Sequence, residues 1–205
     1  MNRPAPTASP VTSAAPARAA IRLSAQVLTC LVLCLIAATI IWFTQDAPLA
    51  VFTRPAAPMW QLVVGQGLAL LAAAASYALY RISARSESTA KTIETYSRLD
   101  LRGLNPLWMA LAAAVGEEML FRAALQPLLG VWVVSLLFLA THMPVYRMRR
   151  FDRATLVQAA GIFGTSVALG FIFQYVGLIA AMLVHLWIDI VGLLVVRAAV
   201  RSRAA

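Results

Sequence analysis

Long stretches without charge alternate along the chain with short basic segments. No Asp, Glu, Lys or Arg occurs from Leu23 to Gln45, and none occurs from Pro55 to Tyr80. Crossing a hydrocarbon core of about 30 Å takes roughly 20 helical residues at about 1.5 Å each. Both stretches are long enough, so they predict membrane-spanning helices at about 24–44 and 59–80.

The remaining sequence predicts four more spans. Asn105-Pro106 supplies an N-cap and a first-turn proline for a third helix that runs to about Leu129, and Gly130 marks the turn into a fourth. The apolar stretch 154–196 is too long for one span, and a turn at 174–177 divides it into two. The pattern therefore predicts an all-α fold, a polytopic membrane helical bundle of about six transmembrane helices.

Composition supports this fold class and excludes a water-soluble globule. The chain has 205 residues, of which 61% are hydrophobic and 12% charged. Soluble domains average roughly 45–50% apolar and about 25% charged residues. Cys30 and Cys34 lie four residues apart on one face of the first span. We interpret them as packing residues, because neither a disulfide framework nor a cysteine zinc site is plausible there.

Composition also divides the chain into segments. Residues 1–22 are rich in Pro, Ala, Ser and Thr and predict a disordered cytoplasmic tail. Residues 23–200 are predicted to form the helical membrane domain, with a motif-bearing core at about 100–200, and residues 201–205 a cytoplasmic C-terminal tail. A cleaved signal peptide is the alternative for the first apolar run. Its length of about 20 residues exceeds the 7–15 typical of signal peptides and favours a retained span.

The basic residues predict an orientation. Most of the 17 Lys and Arg residues lie in the N-terminal tail, in the 81–102 and 147–153 loops, and at the C-terminus. Because Lys and Arg accumulate on the cytoplasmic side, both termini are expected in the cytoplasm, with the protein in the plasma (inner) membrane. The net charge of +9 is confined to short juxtamembrane segments. This distribution favours contact with lipid head groups of the bilayer and excludes nucleic acid as a partner.

Both histidines of the chain are among the six ionisable side chains inside the predicted spans, namely Glu117, Glu118, Arg122, His142, His185 and Asp189. Such a residue at mid-membrane costs at least about 2.5–3.5 kcal/mol, so it usually faces the bundle interior and marks a working site. Structural pairing is the alternative, because Glu118 and Arg122 lie four apart, as do His185 and Asp189. However, the helical rise brings the four residues other than Glu118 and Arg122 to one depth, which pairing does not require.

Together these side chains suit hydrolytic chemistry. Glu117 has no local partner and is a candidate general base, while two imidazoles can orient a water or donate to an oxyanion. Glu117, His142 and His185 are also a candidate zinc set, since a catalytic zinc takes three protein ligands and a water. No HExxH helix is present, so such a set would come from three separate helices. The sequence leaves both versions open.

Three short motifs on successive predicted helices resemble those of a known family. They are Glu-Glu-x-x-x-Arg at 117–122, Phe-x-x-x-His at 138–142 and His-x-x-x-Asp at 185–189. In this order they are similar to the motifs of the CPBP family, the CAAX prenyl protease type II and bacteriocin-processing (Abi) intramembrane proteases. The last motif more often ends in Asn, and Ala123 replaces a glycine that often follows the motif arginine.

The resemblance implies an intramembrane endopeptidase that cleaves a peptide or membrane-protein substrate, in CAAX-type or bacteriocin-type processing. It implies that Glu117 activates the attacking water with His142, while His185 and Asp189 form the oxyanion-stabilising side. It further implies that Glu118 and Arg122 brace the site and that Phe138 packs beside the first histidine. The family has been described both as metalloproteases, which would make zinc the cofactor, and as glutamate-dependent proteases.

Two other function classes are compatible with the sequence. A non-catalytic membrane immunity or scaffold protein of the same fold would bind a partner through its polar interior. A proton-coupled transporter would use the buried Glu, His and Asp as a relay. The transporter is the weaker alternative, because the chain shows no internal repeat and is short for that class.

Overall fold

The computed structural model describes residues 21–148 and 152–204, so most of the predicted N-terminal tail lies outside the described residues. Seven α-helices make up the described part: α1 (Leu23–Thr44), α2 (Pro58–Ser83), α3 (Glu87–Tyr96), α4 (Asn105–Glu118), α5 (Gln126–Val145), α6 (Arg153–Tyr175) and α7 (Leu178–Ala204). A 3₁₀ turn at Pro48–Phe52 and a π-helical turn at Met119–Leu125 complete it. The all-α fold class is confirmed, since the described ranges contain isolated β-bridges and no strand.

Five helical stretches are long and apolar enough to cross a membrane. The third, Asn105–Val145, has 41 residues, which at about 1.5 Å each is far longer than a core of about 30 Å. It is broken at Gly130, whose backbone is non-helical (φ 77°, ψ 164°). The stretch therefore forms two arms that meet at the predicted turn, and the five stretches supply six apolar segments of a helical membrane bundle.

The first arm differs from the uniform α-helix that the sequence predicts, because its middle is π-helical. Pro127 explains the change. It has no N–H to donate to the carbonyl of Ala123 four residues earlier, and its ring would clash with that carbonyl in an α-helix. The side chain of Gln45, the residue after α1, supplies a hydrogen bond to this carbonyl instead. Its Nε2 donates to the Ala123 carbonyl at 2.8 Å.

Helix α3 lies in the segment that the sequence predicts as a polar connector. Ser86 caps it by accepting a hydrogen bond from the Thr89 N–H, and Ile93 is its buried residue. Three contacts join α3 to α6: Lys91 Nζ donates to Asp152 at 2.9 Å, and Gln158 Nε2 donates to the Ser88 carbonyl and to the hydroxyl of Thr92. A ten-residue helix with so few apolar positions gives no hydropathy signal, so only these tertiary contacts reveal it.

Small residues allow the long helices to approach closely. A Cβ at Gly65 of α2 would lie 2.6 Å from the Cα of Ala180 on α7, and a Cβ at Gly116 of α4 would lie 2.9 Å from the Cα of Cys30 on α1. Cys30 therefore packs against a glycine, and both cysteines are free. These contacts hold α4 and α7, which carry acidic and histidine residues of the motifs, inside the bundle.

Candidate active site

The six ionisable residues of the spans converge at the junction of α4, α5 and α7 with the π-helical turn. The innermost contact is the ion pair between Arg122 and Glu118, in which Arg122 Nε donates to Glu118 Oε2 at 3.1 Å. Both side chains are fully buried. Arg122 Nη2 also donates to the hydroxyl of Ser166 on α6 at 3.0 Å, and its guanidinium lies over the Phe138 ring. The spacing of four residues thus does produce the local pair that the sequence indicates.

His185 connects this pair to the rest of the site. Its Nδ1–H donates to Glu118 Oε1 at 2.8 Å, which fixes the orientation of the ring. Its Nε2 lies 3.6 Å from Asp189 Oδ2 and 3.9 Å from Glu117 Oε2. One imidazole therefore has three carboxylates around it. The sequence alone gives two separate pairs four residues apart, and the structure joins them into one network.

His142 approaches the same carboxylate from α5. Its Nδ1–H donates to the carbonyl of Phe138 at 2.8 Å, which leaves Nε2 as an acceptor in the neutral ring. That Nε2 lies 3.7 Å from Glu117 Oε2. The Phe138 ring stacks on the imidazole with a centroid separation of 4.2 Å. Phe138 therefore touches both His142 and the guanidinium of Arg122, and it separates the ion pair from the open part of the site.

Glu117 differs from its neighbour Glu118 in making no hydrogen bond to any described residue. Its Oε2 atom is buried and has no hydrogen-bond partner within the ranges that the structure describes. The two nearest ring nitrogens, on His142 and His185, lie beyond direct hydrogen-bond distance. A buried carboxylate oxygen held between two imidazoles can accept a proton from a water bound there. The arrangement is therefore compatible with the general-base role that the sequence predicts for Glu117.

A cavity of about 430 Å³ leads from the two histidines toward the end of the bundle that carries the basic loops. We call this end the basic end; its described connecting residues are 84–86 and 97–104, on either side of α3, and 146–148 after α5. His142, His185 and Asp189 line the cavity, together with residues of α2, α3 and α6. The wall contains many hydroxyl groups among its apolar side chains, including those of Tyr96 and Tyr146. The cavity is large enough to admit part of a peptide to the histidines.

Three polar residues near the site escaped sequence reasoning. Ser166, which binds the buried arginine, is a small polar residue in an apolar span, and nothing in its local sequence marks it. Tyr96 and Tyr146 lie outside the motifs, although the position of Tyr146 one turn after His142 is a signal that sequence reasoning could have used. Distant packing brings Ser166 and Tyr96 into the site, whereas Tyr146 follows His142 in the chain.

The same donor atoms do not form a recognisable metal site. Among the described residues, no group of three or more His, Cys, Asp or Glu side chains is arranged to hold a metal ion. Nδ1 of each histidine already makes a hydrogen bond to a protein oxygen. The distances from Glu117 Oε2 to Nε2 of His142 and of His185 are 3.7 and 3.9 Å. The candidate zinc set of Glu117, His142 and His185 is therefore close together without forming such a group.

Comparison with models of known protein families gave a match for the motif-bearing part of the chain. Residues 102–191 match a family model described as Rce1-like, type II CAAX prenyl endopeptidase Rce1-like. The matched segment contains all three motifs and all six converging residues. Neither curated proteins nor solved structures gave a match. The family match confirms the resemblance that the motifs indicate.

Proposed function

We propose that the chain is an intramembrane endopeptidase, because residues 102–191 match the family model described as type II CAAX prenyl endopeptidase Rce1-like. It hydrolyses a peptide bond of a peptide or membrane-protein substrate, with the water activated by Glu117 together with His142. One observation carries the proposal. The buried Oε2 of Glu117 has no hydrogen-bond partner among the described residues and faces the Nε2 atoms of His142 and His185 at 3.7 and 3.9 Å.

These separations suit one shared water. They are too long for a direct hydrogen bond, but a water about 2.8 Å from each atom bridges them without strain. The Nδ1–H of His142 already donates to the carbonyl of Phe138, so in the neutral ring Nε2 carries no hydrogen. This Nε2 therefore accepts one hydrogen of the water. The other hydrogen points to Glu117. The water oxygen then presents a lone pair to a substrate carbonyl carbon.

The reaction needs only water as co-reactant. The water oxygen attacks the carbonyl carbon as its proton passes to Glu117, which gives a tetrahedral intermediate with a negative oxygen. The carbon–nitrogen bond then breaks, and Glu117 returns the proton to the leaving amine. The products are a carboxylic acid, which ionises by releasing its proton to solvent, and a free amine. We propose the glutamate-dependent version, which the absence of a metal-binding group of His, Cys, Asp or Glu among the described residues supports.

We assign the oxyanion to the His185 side of the site. In its protonated form this ring donates from Nδ1 to Glu118 and from Nε2 to the developing negative charge. Asp189, at 3.6 Å from Nε2, holds the ring between reaction cycles. Glu118 is in turn held by Arg122, so the ion pair braces the imidazole and does not touch the substrate.

The family description makes a CAAX-type prenylated peptide the first substrate to test, and bacteriocin-type peptides the second. We further propose that the basic end faces the cytoplasm from the plasma (inner) membrane, because Lys and Arg favour that side. The cavity then opens to a substrate anchored at the cytoplasmic surface. Lipid surrounds the apolar helices, as their exposed hydrophobic side chains require.

The test is cleavage of a fluorogenic prenylated CAAX peptide by purified full-length protein in liposomes, with the unprenylated peptide in parallel. Glu117→Gln keeps the size of the side chain and removes the proton acceptor, so we expect a loss of kcat of about 10²- to 10⁴-fold. Glu94→Gln is the matched control, because its side chain is 72% exposed and it lies outside the three motifs. Full activity in Glu117→Gln would overturn the proposal.

A chelator titration separates the two versions of the mechanism. The glutamate-dependent version predicts unchanged cleavage after treatment with a chelator, and purified protein without stoichiometric zinc by mass spectrometry. Loss of cleavage that added zinc restores would replace it with the metal-dependent version. In that case the same three residues, Glu117, His142 and His185, are the ligands to substitute first.

A further inference from the structure

Two tyrosine hydroxyls that belong to none of the motifs meet at the cavity. Tyr96 is the last residue of α3, and Tyr146 follows the last residue of α5. Their hydroxyl oxygens lie 2.6 Å apart, and their rings pack edge to face with centroids 5.6 Å apart. The contact joins residues 50 positions apart in the chain. It brings the connector helix α3 to the helix that carries the first motif histidine.

The pair lies beside the reacting groups. The N–H of Tyr146 donates to the carbonyl of His142 at 3.0 Å, and the two side-chain rings are 6.4 Å apart. Both tyrosines line the same cavity as His142, His185 and Asp189. Four residues of helix span about 6 Å, and an extended peptide advances about 3.3 Å per residue. The pair is therefore about two residues along a bound peptide from the bond at the histidine.

The hydrogen count leaves the pair with a donor to spare. Two hydroxyls carry two hydrogens, and their mutual bond uses one of them. Within the described ranges neither hydroxyl makes another hydrogen bond. Tyrosine O–H groups away from bulk water usually find a partner. A cavity wall with one spare O–H donor is suited to an acceptor, and the backbone carbonyl is the acceptor that every peptide offers.

We propose that Tyr96 and Tyr146 form a substrate-binding pair that donates one O–H hydrogen bond to a backbone carbonyl of the peptide, about two residues from the cleaved bond. This inference rests on the proposed peptidase function. The pair recognises the backbone and therefore does not select a side chain at that position. Because either hydroxyl can supply the donor, the pair has a signature that a purely structural latch lacks.

The signature is the difference between single and double substitutions. Tyr96→Phe and Tyr146→Phe each remove the mutual bond but leave one hydroxyl with its hydrogen free, so each protein keeps its donor. The double variant has no donor. We expect affinity for the peptide to stay within about twofold in the single variants and to fall about tenfold in the double variant. A latch would be broken equally by either single substitution.

Binding is measured without turnover, in the Glu117→Gln protein, by fluorescence anisotropy of the prenylated CAAX peptide in detergent micelles. Tyr175→Phe is the matched control, since this tyrosine is 70% exposed at the other end of the bundle. Circular dichroism melting checks that all variants fold. Equal Kd values in all variants, or equal losses in the single and double variants, would overturn the inference. Absence of cleavage by the wild type would instead overturn the proposed function, so the two failures are distinguishable.

Discussion

The buried ion pair of the site supports a quantitative prediction for Arg122→Met. This substitution keeps most of the side-chain volume but removes the guanidinium that binds Glu118 at 3.1 Å and Ser166 at 3.0 Å. Both members of the pair are fully buried, so the carboxylate of Glu118 loses its arginine partner and keeps the hydrogen bond from His185 in a medium that cannot solvate it. Breaking such a pair on one side costs about 3–5 kcal/mol. The folding equilibrium should therefore fall at least about 100-fold.

A second substitution tests whether charge is the cause. In the double variant Arg122→Met with Glu118→Gln, the uncompensated carboxylate is gone, so most of the unfolding free energy should return. Peptide cleavage should remain low, because a neutral amide does not stabilise a positive charge on His185 as the carboxylate does. Stability and activity are therefore expected to separate in the double variant.

The assay is unfolding by SDS titration in mixed micelles, followed by tryptophan fluorescence and far-UV circular dichroism. Arg102→Met is the matched control, because Arg102 also binds a carboxylate, that of Asp100 at 2.8 Å, but its side chain is 89% exposed. We expect no measurable change there. Unfolding of Arg122→Met at the wild-type SDS fraction, or a double variant no more stable than the single one, would refute the reasoning.

Two further predictions concern packing and pH. Gly65→Ala should destabilise the protein by about 1–3 kcal/mol in the same titration, because its Cβ would lie 2.6 Å from backbone of α7. Gly67→Ala, with nothing within 4 Å, should be neutral or stabilising, and equal effects would contradict the packing argument. Hydrogen bonds from Lys91 and from the N-terminus of α6 lower the pKa of Asp152 from 3.8 to about 2. The contribution of Asp152 to folding stability is therefore complete above pH 3.8 and is lost as the pH falls toward 2. The rate of amide hydrogen exchange in α3 should rise as the pH falls through this range. An Asp152→Asn protein with the same pH response would contradict the assignment of the effect to Asp152.

Much of the fold could be predicted from the sequence because the signals are local. A helix in lipid satisfies its own backbone and tolerates few charges, so uncharged runs of about 20 residues mark the spans directly. The turn at Gly130 and the turn before α7 were predicted for the same reason and are present. The π-helical turn was not predicted, although Pro127 is its physical cause and stands in the sequence.

The candidate site could be predicted as a set of residues but not as a network. Ionisable side chains are costly in a span, so Glu117, His142 and His185 stand out in the sequence without any structure. Which atoms face each other depends on helix rotation and crossing, which hydropathy does not encode. The bond from His185 to Glu118 joins residues 67 apart. It makes Glu118 the structural partner of His185 and leaves Glu117 without a hydrogen bond among the described residues.

From the sequence alone one can read that the chain lies in a lipid bilayer, where its spans are and which ionisable residues lie inside them. These features follow from the cost of placing each residue in lipid. The tertiary structure alone decided that Glu118 is shared between Arg122 and His185, and that Ser166 and the tyrosine at the end of α3 reach the site. These contacts depend on side chains from different helices meeting at hydrogen-bond distance. Only the packing of the whole bundle fixes those distances.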